Sequence, residues 1–259
     1  MTAAAASPQE TTYLPADVSL SAAQVTHGRM GSPAQVAEDV RRWGIAIFPG
    51  LVAGETLAAL NQEFDRMIAA RHALGVPIDA YDNIVNLRLT RATLPAEHFP
   101  ATAAFFVQGF MADIADAYFG PGAYRLNGEI FVSDLAETKG RQTAPPFALH
   151  FDKRQVLKFF VYLTDTDEAN GAMRVLPGSN LRNRHVREQA MSRGAINDIA
   201  NVLPEPQTPS IPVCGPAGTL FVFDTDVCHG ASTVQPGRAR RSMRGHTHAH
   251  AMLRAMGVH

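Results

Sequence analysis

A histidine and an aspartate stand one residue apart in the segment FALHFDKRQVLKFF, and their types and spacing are those of a metal site. In an extended chain, residues i and i+2 point to the same side, so His150 and Asp152 leave one surface together. A second histidine, His229, follows the apolar stretch TLFVF and precedes a glycine. Two imidazoles and one carboxylate can occupy one face of an octahedral iron ion and leave three positions open for substrate and oxygen. On spacing alone, the alternative is a hydrogen-bonded surface pair without a metal.

Three arginines follow His229 and lead into another predicted strand: Arg238, Arg240 and Arg241. A buried arginine can bind a carboxylate through two parallel hydrogen bonds. A dicarboxylate that chelates the metal at one end would need such a group at its other end. The pattern leaves open which of the three arginines faces the site.

Short period-two segments surround these residues and predict the elements that position them. Strands are predicted at residues 45–48, 81–89, 124–133, 157–164, 173–176, 219–223 and 242–248. Helices are predicted at residues 34–43, from residue 54 onward and at residues 99–119. Many short strands separated by Gly and Pro turns, with helices outside them, favour a mostly β protein with a barrel or sandwich core.

The domain organisation is predicted from local composition. Residues 1–33 are rich in Ala, Ser, Thr and Pro and are interpreted as a flexible N-terminal arm. Residues 34–259 are expected to form a single domain. Within that domain, residues 181–210 are Arg-rich, then helical, then Pro-rich, and are interpreted as a lid-like insertion over one end of the barrel.

Composition and charge argue against several other classes of protein. The formal net charge is −1, which gives no field for nucleic acid or for an anionic membrane. No apolar run approaches the length of a membrane span, and the N-terminus lacks the basic start and apolar core of a secretory signal, so a cytoplasmic location is expected. The two cysteines form no CxxC motif and are expected to be structural thiols.

Several segments taken together resemble a known family. They are HFD at 150–152, LTDTDEANGAMRVLPGSN at 163–180, GTLFVFDTDVCHGAS at 218–232, RRS at 240–242 and the opening VAEDVRRWGIAIFPGLVAGETLAALNQEFDRM at 36–67. The chain therefore resembles the phytanoyl-CoA dioxygenase family of iron(II)- and 2-oxoglutarate-dependent oxygenases. The resemblance runs from about residue 36 to residue 250 and implies a double-stranded β-helix (jelly-roll, cupin-like) core with flanking helices.

The resemblance also implies roles for individual residues. It matches His150, Asp152 and His229 to the iron ligands and Arg240 to the arginine that binds the far carboxylate of 2-oxoglutarate. It matches further residues to positions beside the cosubstrate, which are Phe160 and Asn127, and to positions beside the substrate, which are Glu129 and Ser133. Strand alternation adds Lys158 as a cofactor-binding residue, and Tyr162 and His246 as substrate-binding residues.

The function implied by the resemblance is oxidation of an unactivated C–H bond in a small-molecule metabolite. The cofactors would be iron(II), 2-oxoglutarate and O2, and 2-oxoglutarate would be decarboxylated to succinate and CO2. Asp152 stands where halogenating relatives have a small residue, so hydroxylation is favoured over halogenation. Desaturation, epoxidation and ring closure stay open, because these reactions share the same ligands.

Other interpretations of the same residues also stay open at this point. The protein could be a non-catalytic double-stranded β-helix that binds a ligand, or a cupin enzyme that does not use 2-oxoglutarate. His246, His248 and His250 alternate and could form a rival metal cluster. No nucleic-acid or membrane partner is expected, and the oligomeric state cannot be predicted.

Overall fold

The computed structural model describes residues 21–81, 84–90, 93–94, 96–136, 147–203 and 210–257. The strands are β1 (Ile45–Phe48), β2 (Ile78–Tyr81), β3 (Ile84–Thr90), β4 (Tyr124–Ala136), β5 (Leu157–Tyr162), β6 (Met173–Leu176), β7 (Ile211–Val213), β8 (Leu220–Asp224), β9 (Cys228–Ala231) and β10 (Ala239–Ala249). The α-helices are α1 (Pro33–Trp43), α2 (Gly54–Ala69), α3 (Pro100–Phe105), α4 (Gly109–Phe119), α5 (Asn180–Ser192) and α6 (His250–Ala255).

The strands form two antiparallel sheets. Within the described residues, one sheet has seven strands in the order β1-β8-β5-β10-β4-β3-β2, and the other has three in the order β7-β6-β9. The two sheets pack against each other, because aromatic side chains of the larger sheet and apolar side chains of the smaller one form a single buried cluster. The predicted fold class, a double-stranded β-helix core with flanking helices, is confirmed.

Alternation along β5 separates two environments, as the sequence predicts. Leu157, Phe159 and Val161 pack in an apolar cluster with helices α1 and α2. Phe160 and Tyr162 instead belong to the cluster between the two sheets. Because successive strand residues point to opposite faces, β5 presents its even-numbered side chains to the interior of the barrel.

The first helix begins and ends where its sequence signals predict. The backbone N–H of Gln35 donates to Ser32 Oγ at 3.3 Å, and the backbone N–H of Ser32 donates to Gln35 Oε1 at 2.9 Å. This reciprocal pair satisfies two N–H groups that the first turn leaves without helical partners. Pro33 occupies the first helical position, and Gly44 ends the helix with φ 83°.

Two predicted elements are divided in the structure. The helix predicted at 99–119 is two helices, α3 and α4, because the carbonyl of Phe106 accepts a hydrogen bond from Asn127 Nδ2 at 2.8 Å instead of continuing the helix. The strand predicted at 81–89 begins at Ile84, and Tyr81 belongs to β2, which pairs with β3. Local pattern does not reveal the distant side chain that ends α3.

Part of the predicted arm is packed against the domain. The backbone N–H of His27 donates to the carbonyl of Ile47 at 2.9 Å, the N–H of Ile47 donates to the carbonyl of Val25 at 2.7 Å, and Val25 is fully buried. Residues 1–20 of that arm and residues 204–209 of the predicted insertion lie outside the described residues. None of the described helices combines the length and apolar character needed to cross a bilayer.

Candidate active site

Backbone hydrogen bonds bring the two histidine-bearing segments together. The N–H of His150 donates to the carbonyl of His229 at 2.9 Å, and the N–H of His229 donates to the carbonyl of His150 at 2.7 Å. The N–H of Asp152 donates to the carbonyl of Thr225, at 2.9 Å, in the turn between β8 and β9. These hydrogen bonds hold the segment of His150 and Asp152 against the segment of His229, although the two are far apart in the sequence.

The glycine that follows His229 is required by this close approach. A Cβ atom at Gly230 would lie 2.7 Å from the carbonyl oxygen of Phe147 and 3.0 Å from that of Ala148. These carbonyls belong to the segment that carries His150. Any larger residue at Gly230 would push the two ligand-bearing segments apart.

Each histidine has its Nε2 directed toward the same point. Nδ1 of His150 lies 2.9 Å from the carbonyl oxygen of Ala148, and Nδ1 of His229 lies 2.8 Å from that of Val227. A carbonyl can only accept, so each Nδ1 carries the proton and each Nε2 carries a lone pair. Burial lowers the pKa of His229 to about 3 and lowers the pKa of His150 below its usual value. Both rings are therefore neutral near pH 7, the form in which imidazole binds a metal.

Asp152 uses its two carboxylate oxygens differently. Oδ1 lies 3.6 Å from His150 Nε2 and 3.7 Å from His229 Nε2, whereas Oδ2 accepts a hydrogen bond from Lys158 Nζ at 2.9 Å. Burial by itself would raise the pKa of Asp152. The opposite effects of Lys158 and the two histidines are together larger, and they lower this pKa to about 2. The aspartate is thus a carboxylate near neutral pH.

These three side chains have the composition and spacing of a metal site. One ligand atom from each of His150, Asp152 and His229 lies within 4.8 Å of the others. Two neutral imidazoles and one carboxylate, with one side open to a cavity, are the donor set preferred by non-haem iron(II). Among the described residues this is the one such group, and the rival cluster of His246, His248 and His250 does not form.

A cavity of about 350 Å³ adjoins the metal-ligand group. Its size lies within the range of about 300–1,000 Å³ that is typical of small-molecule sites. Its wall combines aromatic and apolar groups with three basic side chains. The residues that line it include His150, Lys158, Phe160, Phe223, His229, Ser133, Asn86, Arg240 and Arg244.

Arg240 presents a buried cation to this cavity. Its side chain donates to the carbonyl of Gly171, and its guanidinium carbon lies 5.9 Å from the ring centre of Phe160 and 5.7 Å from that of Tyr162. Among the described residues, no group accepts a hydrogen bond from its buried Nε atom. A buried guanidinium with an unsatisfied N–H fits the far carboxylate of a dicarboxylic acid.

The two neighbouring arginines point elsewhere. Arg238 pairs with Asp167 at 2.6 Å on the surface. Arg241 pairs with Asp65 at 2.9 Å and lies over the ring of Phe64, on the helix-covered side of the sheet. Of the three arginines that the sequence leaves open, Arg240 is the one in the cavity wall.

Three further predicted residues lie in the cavity wall or directly behind it. Phe160 lines the cavity and stacks on Phe221 with ring centres 4.6 Å apart. Ser133 also lines it and accepts a hydrogen bond from Arg244. Tyr162 is fully buried beside Arg240, and its hydroxyl accepts a hydrogen bond from the N–H of Met173.

The remaining predicted residues are not brought to the cavity wall. Asn127 has φ 39° where the register of β4 against β10 is irregular, so its side chain turns out of the period-two pattern toward the end of α3. Glu129 lines a different cavity and pairs with Arg88. His246 lies beside Lys158 and Glu129 on the inner face of the sheet, between the two cavities.

Two residues that the sequence interpretation did not assign lie on the same face of β10 as Arg240. Ser242 is fully buried, and no described residue hydrogen-bonds its hydroxyl. Arg244 lines the cavity, with its guanidinium carbon 4.5 Å from the ring centre of Phe131. Both follow Arg240 at steps of two along β10, so strand alternation could have identified them.

Comparison with solved structures finds similar folds. The structure described as the epimerase SnoN in complex with Fe3+, alpha ketoglutarate and nogalamycin RO is 17% identical, with a TM-score of 0.58 over 84% of this chain and 83% of that chain. The carbocyclase SnoK from nogalamycin biosynthesis is 16% identical, with a TM-score of 0.59 over 85% and 87%. EctD from S. alaskensis with bound Fe is 19% identical, with a TM-score of 0.59 over 88% and 82%. At these identities the likeness establishes the fold.

Sequence comparison gives the family. A search of curated proteins found no match. The family model for phytanoyl-CoA dioxygenase (PhyH) matches residues 40–242. This match includes most of the chain and all the residues of the metal-ligand group together with Arg240. The chain belongs to the phytanoyl-CoA dioxygenase family.

Proposed function

We propose that this protein is an iron(II)- and 2-oxoglutarate-dependent oxygenase that hydroxylates an unactivated C–H bond of a small-molecule metabolite. The observation that carries the proposal is one cavity that joins the neutral rings of His150 and His229, beside the ionised Asp152, to the buried cation of Arg240. The first group suits iron, and the second suits the far carboxylate of the cosubstrate. The family match supports the same class of enzyme.

In this proposal the metal would be held by Nε2 of His150, Nε2 of His229 and Oδ1 of Asp152. Hydrogen bonds to the carbonyls of Ala148 and Val227 fix the tautomer and orientation of both rings. The second carboxylate oxygen is occupied by Lys158, which holds the orientation of Asp152 and balances its charge. When bound, iron(II) would activate O2 with electrons from 2-oxoglutarate and so supply the oxidising chemistry that protein side chains lack.

The rest of the cavity would position the cosubstrate and limit water. Arg240 would pair with the far carboxylate, and the hydroxyl of Ser242 would donate to the same group. The aromatic faces of Phe160 and Phe223 make the wall between Arg240 and the metal ligands apolar. Excluding water from this space strengthens the ionic contacts and protects a reactive centre from side reactions.

Asp152 argues against halogenation, because in this proposal it supplies the third ligand and leaves no place for a halide on that side. Proteins of similar fold include an epimerase and a carbocyclase. In this chain, the three proposed ligands would serve epimerisation or ring closure as well as hydroxylation, so they do not distinguish these outcomes. Isotopic labelling of the product with oxygen distinguishes them directly.

The test is to incubate the iron-loaded protein with 2-oxoglutarate, labelled O2 and fractions of a metabolite extract. We expect one fraction to accelerate succinate formation and to yield a product that contains one labelled oxygen atom. Asp152→Ala should lose both. Coupled succinate formation without label in the product would replace hydroxylation with cyclisation, desaturation or epimerisation. Turnover of an extract component without 2-oxoglutarate would support a different cupin chemistry.

A further inference from the structure

A second cavity, of about 690 Å³, lies at the opposite end of the large sheet from Arg240. It is formed by the ends of β3 and β10, the start of β4 and the helix α6, and we call it the C-terminal chamber. Arg240 and His248, which lines the chamber, are eight positions apart on β10, or about 26 Å along an extended strand. The chamber is nearly twice the volume of the metal cavity, which must also accommodate the cosubstrate.

One row of side chains leads from the metal ligands to this chamber. Lys158, which contacts Asp152, is directly opposite His246 on the neighbouring strand. His246 is in turn directly opposite Glu129, which lines the chamber. Directly opposed side chains have Cβ atoms about 5 Å apart, so His246 separates the two cavities by the width of a single residue.

His246 has an unsatisfied hydrogen-bonding atom at this boundary. Its ring packs on Phe131 with centres 4.4 Å apart, and burial lowers its pKa well below the usual value, so the ring is neutral near pH 7. No described residue hydrogen-bonds its buried Nε2. A buried polar atom without a partner is costly, and a ligand group at this position would supply the partner.

The side chains of the chamber wall suit the uncharged part of a small molecule. Its apolar part comes from β4 and α6, with Leu126, Leu253 and Met256 among the lining residues. Its charged pair is internally compensated, because Arg88 Nε donates to Glu129 Oε1 at 2.9 Å. Its remaining basic groups are the exposed Arg125 at the rim, and the histidines His248 and His250. Burial lowers the pKa of His248 below its usual value, which favours the neutral ring.

We propose that the C-terminal chamber binds the body of the substrate and that the substrate is an uncharged, largely apolar metabolite. The reacting carbon extends past His246 toward the metal cavity, and a hydroxyl or carbonyl group of the substrate bonds to His246 Nε2. This proposal rests on the proposed oxygenase function and adds to it the size and chemical class of the substrate.

The probe for this test is N-phenyl-1-naphthylamine, an uncharged aromatic fluorophore, titrated anaerobically into the iron(II)- and 2-oxoglutarate-loaded protein. We expect saturable binding with enhanced fluorescence. Leu253→Glu places a carboxylate in the apolar wall and should weaken binding by about tenfold or more. Leu181→Glu is the matched control, because Leu181 is an exposed leucine on α5 and should leave binding unchanged.

A second variant guards against misfolding of the first. Met256→Trp fills the chamber without adding charge and should also weaken binding of the fluorophore. The chamber proposal would be overturned if the wild type showed no saturable binding of the fluorophore. It would also be overturned if Leu253→Glu and Met256→Trp both bound the fluorophore with the affinity of the wild type. The visible absorption band of the iron–2-oxoglutarate complex is recorded in the same samples. Its loss in folded wild type would contradict the oxygenase function, whereas its presence without fluorophore binding would contradict the chamber alone.

Discussion

Arg240 and Ser242 are two residues apart on β10 and extend from the same face of the strand. Each has a buried polar atom that no described residue satisfies: Nε of Arg240 and the hydroxyl of Ser242. Unsatisfied buried groups are rare in folded proteins and usually have a functional reason. At the scale of single residues, this pair marks the place where a carboxylate is expected to bind.

Ser242→Ala tests whether the Ser242 hydroxyl, together with Arg240, binds the far carboxylate of 2-oxoglutarate. Removing a hydroxyl that bonds a charged carboxylate should weaken 2-oxoglutarate binding by about tenfold, while the free energy of unfolding without 2-oxoglutarate should not fall, because no protein partner is lost. Both quantities follow from calorimetric titration and urea denaturation. Ser192→Ala is the control, since Ser192 is exposed at the end of α5, away from the cavity wall, and its hydroxyl donates to the carbonyl of Gln189. A variant with wild-type affinity for 2-oxoglutarate would contradict the role of Ser242.

Residue types and spacing were sufficient to predict that His150, Asp152 and His229 come together, but not the position of every neighbour. His150 and Asp152 share a face in any extended chain. The glycine after His229 allows the backbone there to lie close to the backbone that precedes His150. Asn127 lies on the polar face of its strand by simple counting. Its φ of 39° and the local irregularity of register redirect it to the end of α3. An irregularity of this kind depends on pairing with a distant strand, which local alternation does not encode.

At the scale of elements, α5 and the segment that follows it contact both ligand-bearing segments. Asn183 Nδ2 donates to the carbonyl of Asp226 at 2.8 Å, in the turn before His229. Farther along, the N–H of Phe151 donates to the carbonyl of Asn201 at 3.0 Å, next to His150 and Asp152. The described part of the predicted lid-like insertion therefore packs on the metal-ligand segments from outside.

This packing includes a buried ion pair between Arg187 and Asp226. Arg187 Nε lies 2.7 Å from Asp226 Oδ1, and both side chains are buried. Arg187→Met should lower the free energy of unfolding by about 3 kcal/mol, because it leaves a buried carboxylate with one fewer partner. Loosening the turn before His229 should also weaken metal binding by about tenfold or more.

The control for Arg187→Met lies on the same segment. Arg193 is exposed and bonds to Gln189 at the end of α5, so Arg193→Met should change stability by less than about 0.5 kcal/mol. Stability is measured by urea denaturation and metal affinity by cobalt(II) titration. A large loss of stability in Arg187→Met with unchanged cobalt affinity would show that α5 supports the fold without positioning the metal ligands.

At the scale of the whole molecule, the general architecture followed from composition and alternation. The apolar outer face of β5 and the mixed inner face are visible in the sequence, and they correspond to the helix-packed layer and the barrel interior. The order of the strands in the large sheet, in contrast, cannot be predicted from local alternation. β10 inserts between β4 and β5, which are neighbours in sequence, and only long-range pairing determines this order. The large second cavity depends on the same long-range arrangement.

Burial of neutral histidines gives the whole molecule a predictable pH dependence. The folded-state pKa of His246 lies well below its usual value because of burial, whereas the unfolded chain binds a proton at about pH 6.5. Its contribution to stability is present above pH 6.5 and is lost as the pH falls below that value. The slope is up to about 1.4 kcal/mol per pH unit. His246→Gln should therefore show a shallower loss of stability between pH 7 and pH 5 than the wild type in urea denaturation. An identical slope in both proteins would contradict this assignment.

The most direct test of the oxygenase account is the visible iron-to-keto-acid absorption band, measured after iron(II) and 2-oxoglutarate are added anaerobically to metal-free protein. We expect the band in the wild type and in Arg241→Met, whose side chain faces away from the cavity. Arg240→Met should require at least about tenfold more 2-oxoglutarate for the same band, and Asp152→Ala should lose the wild-type spectrum. The absence of any band in folded wild-type protein, or equal 2-oxoglutarate affinity in Arg240→Met, would contradict the account.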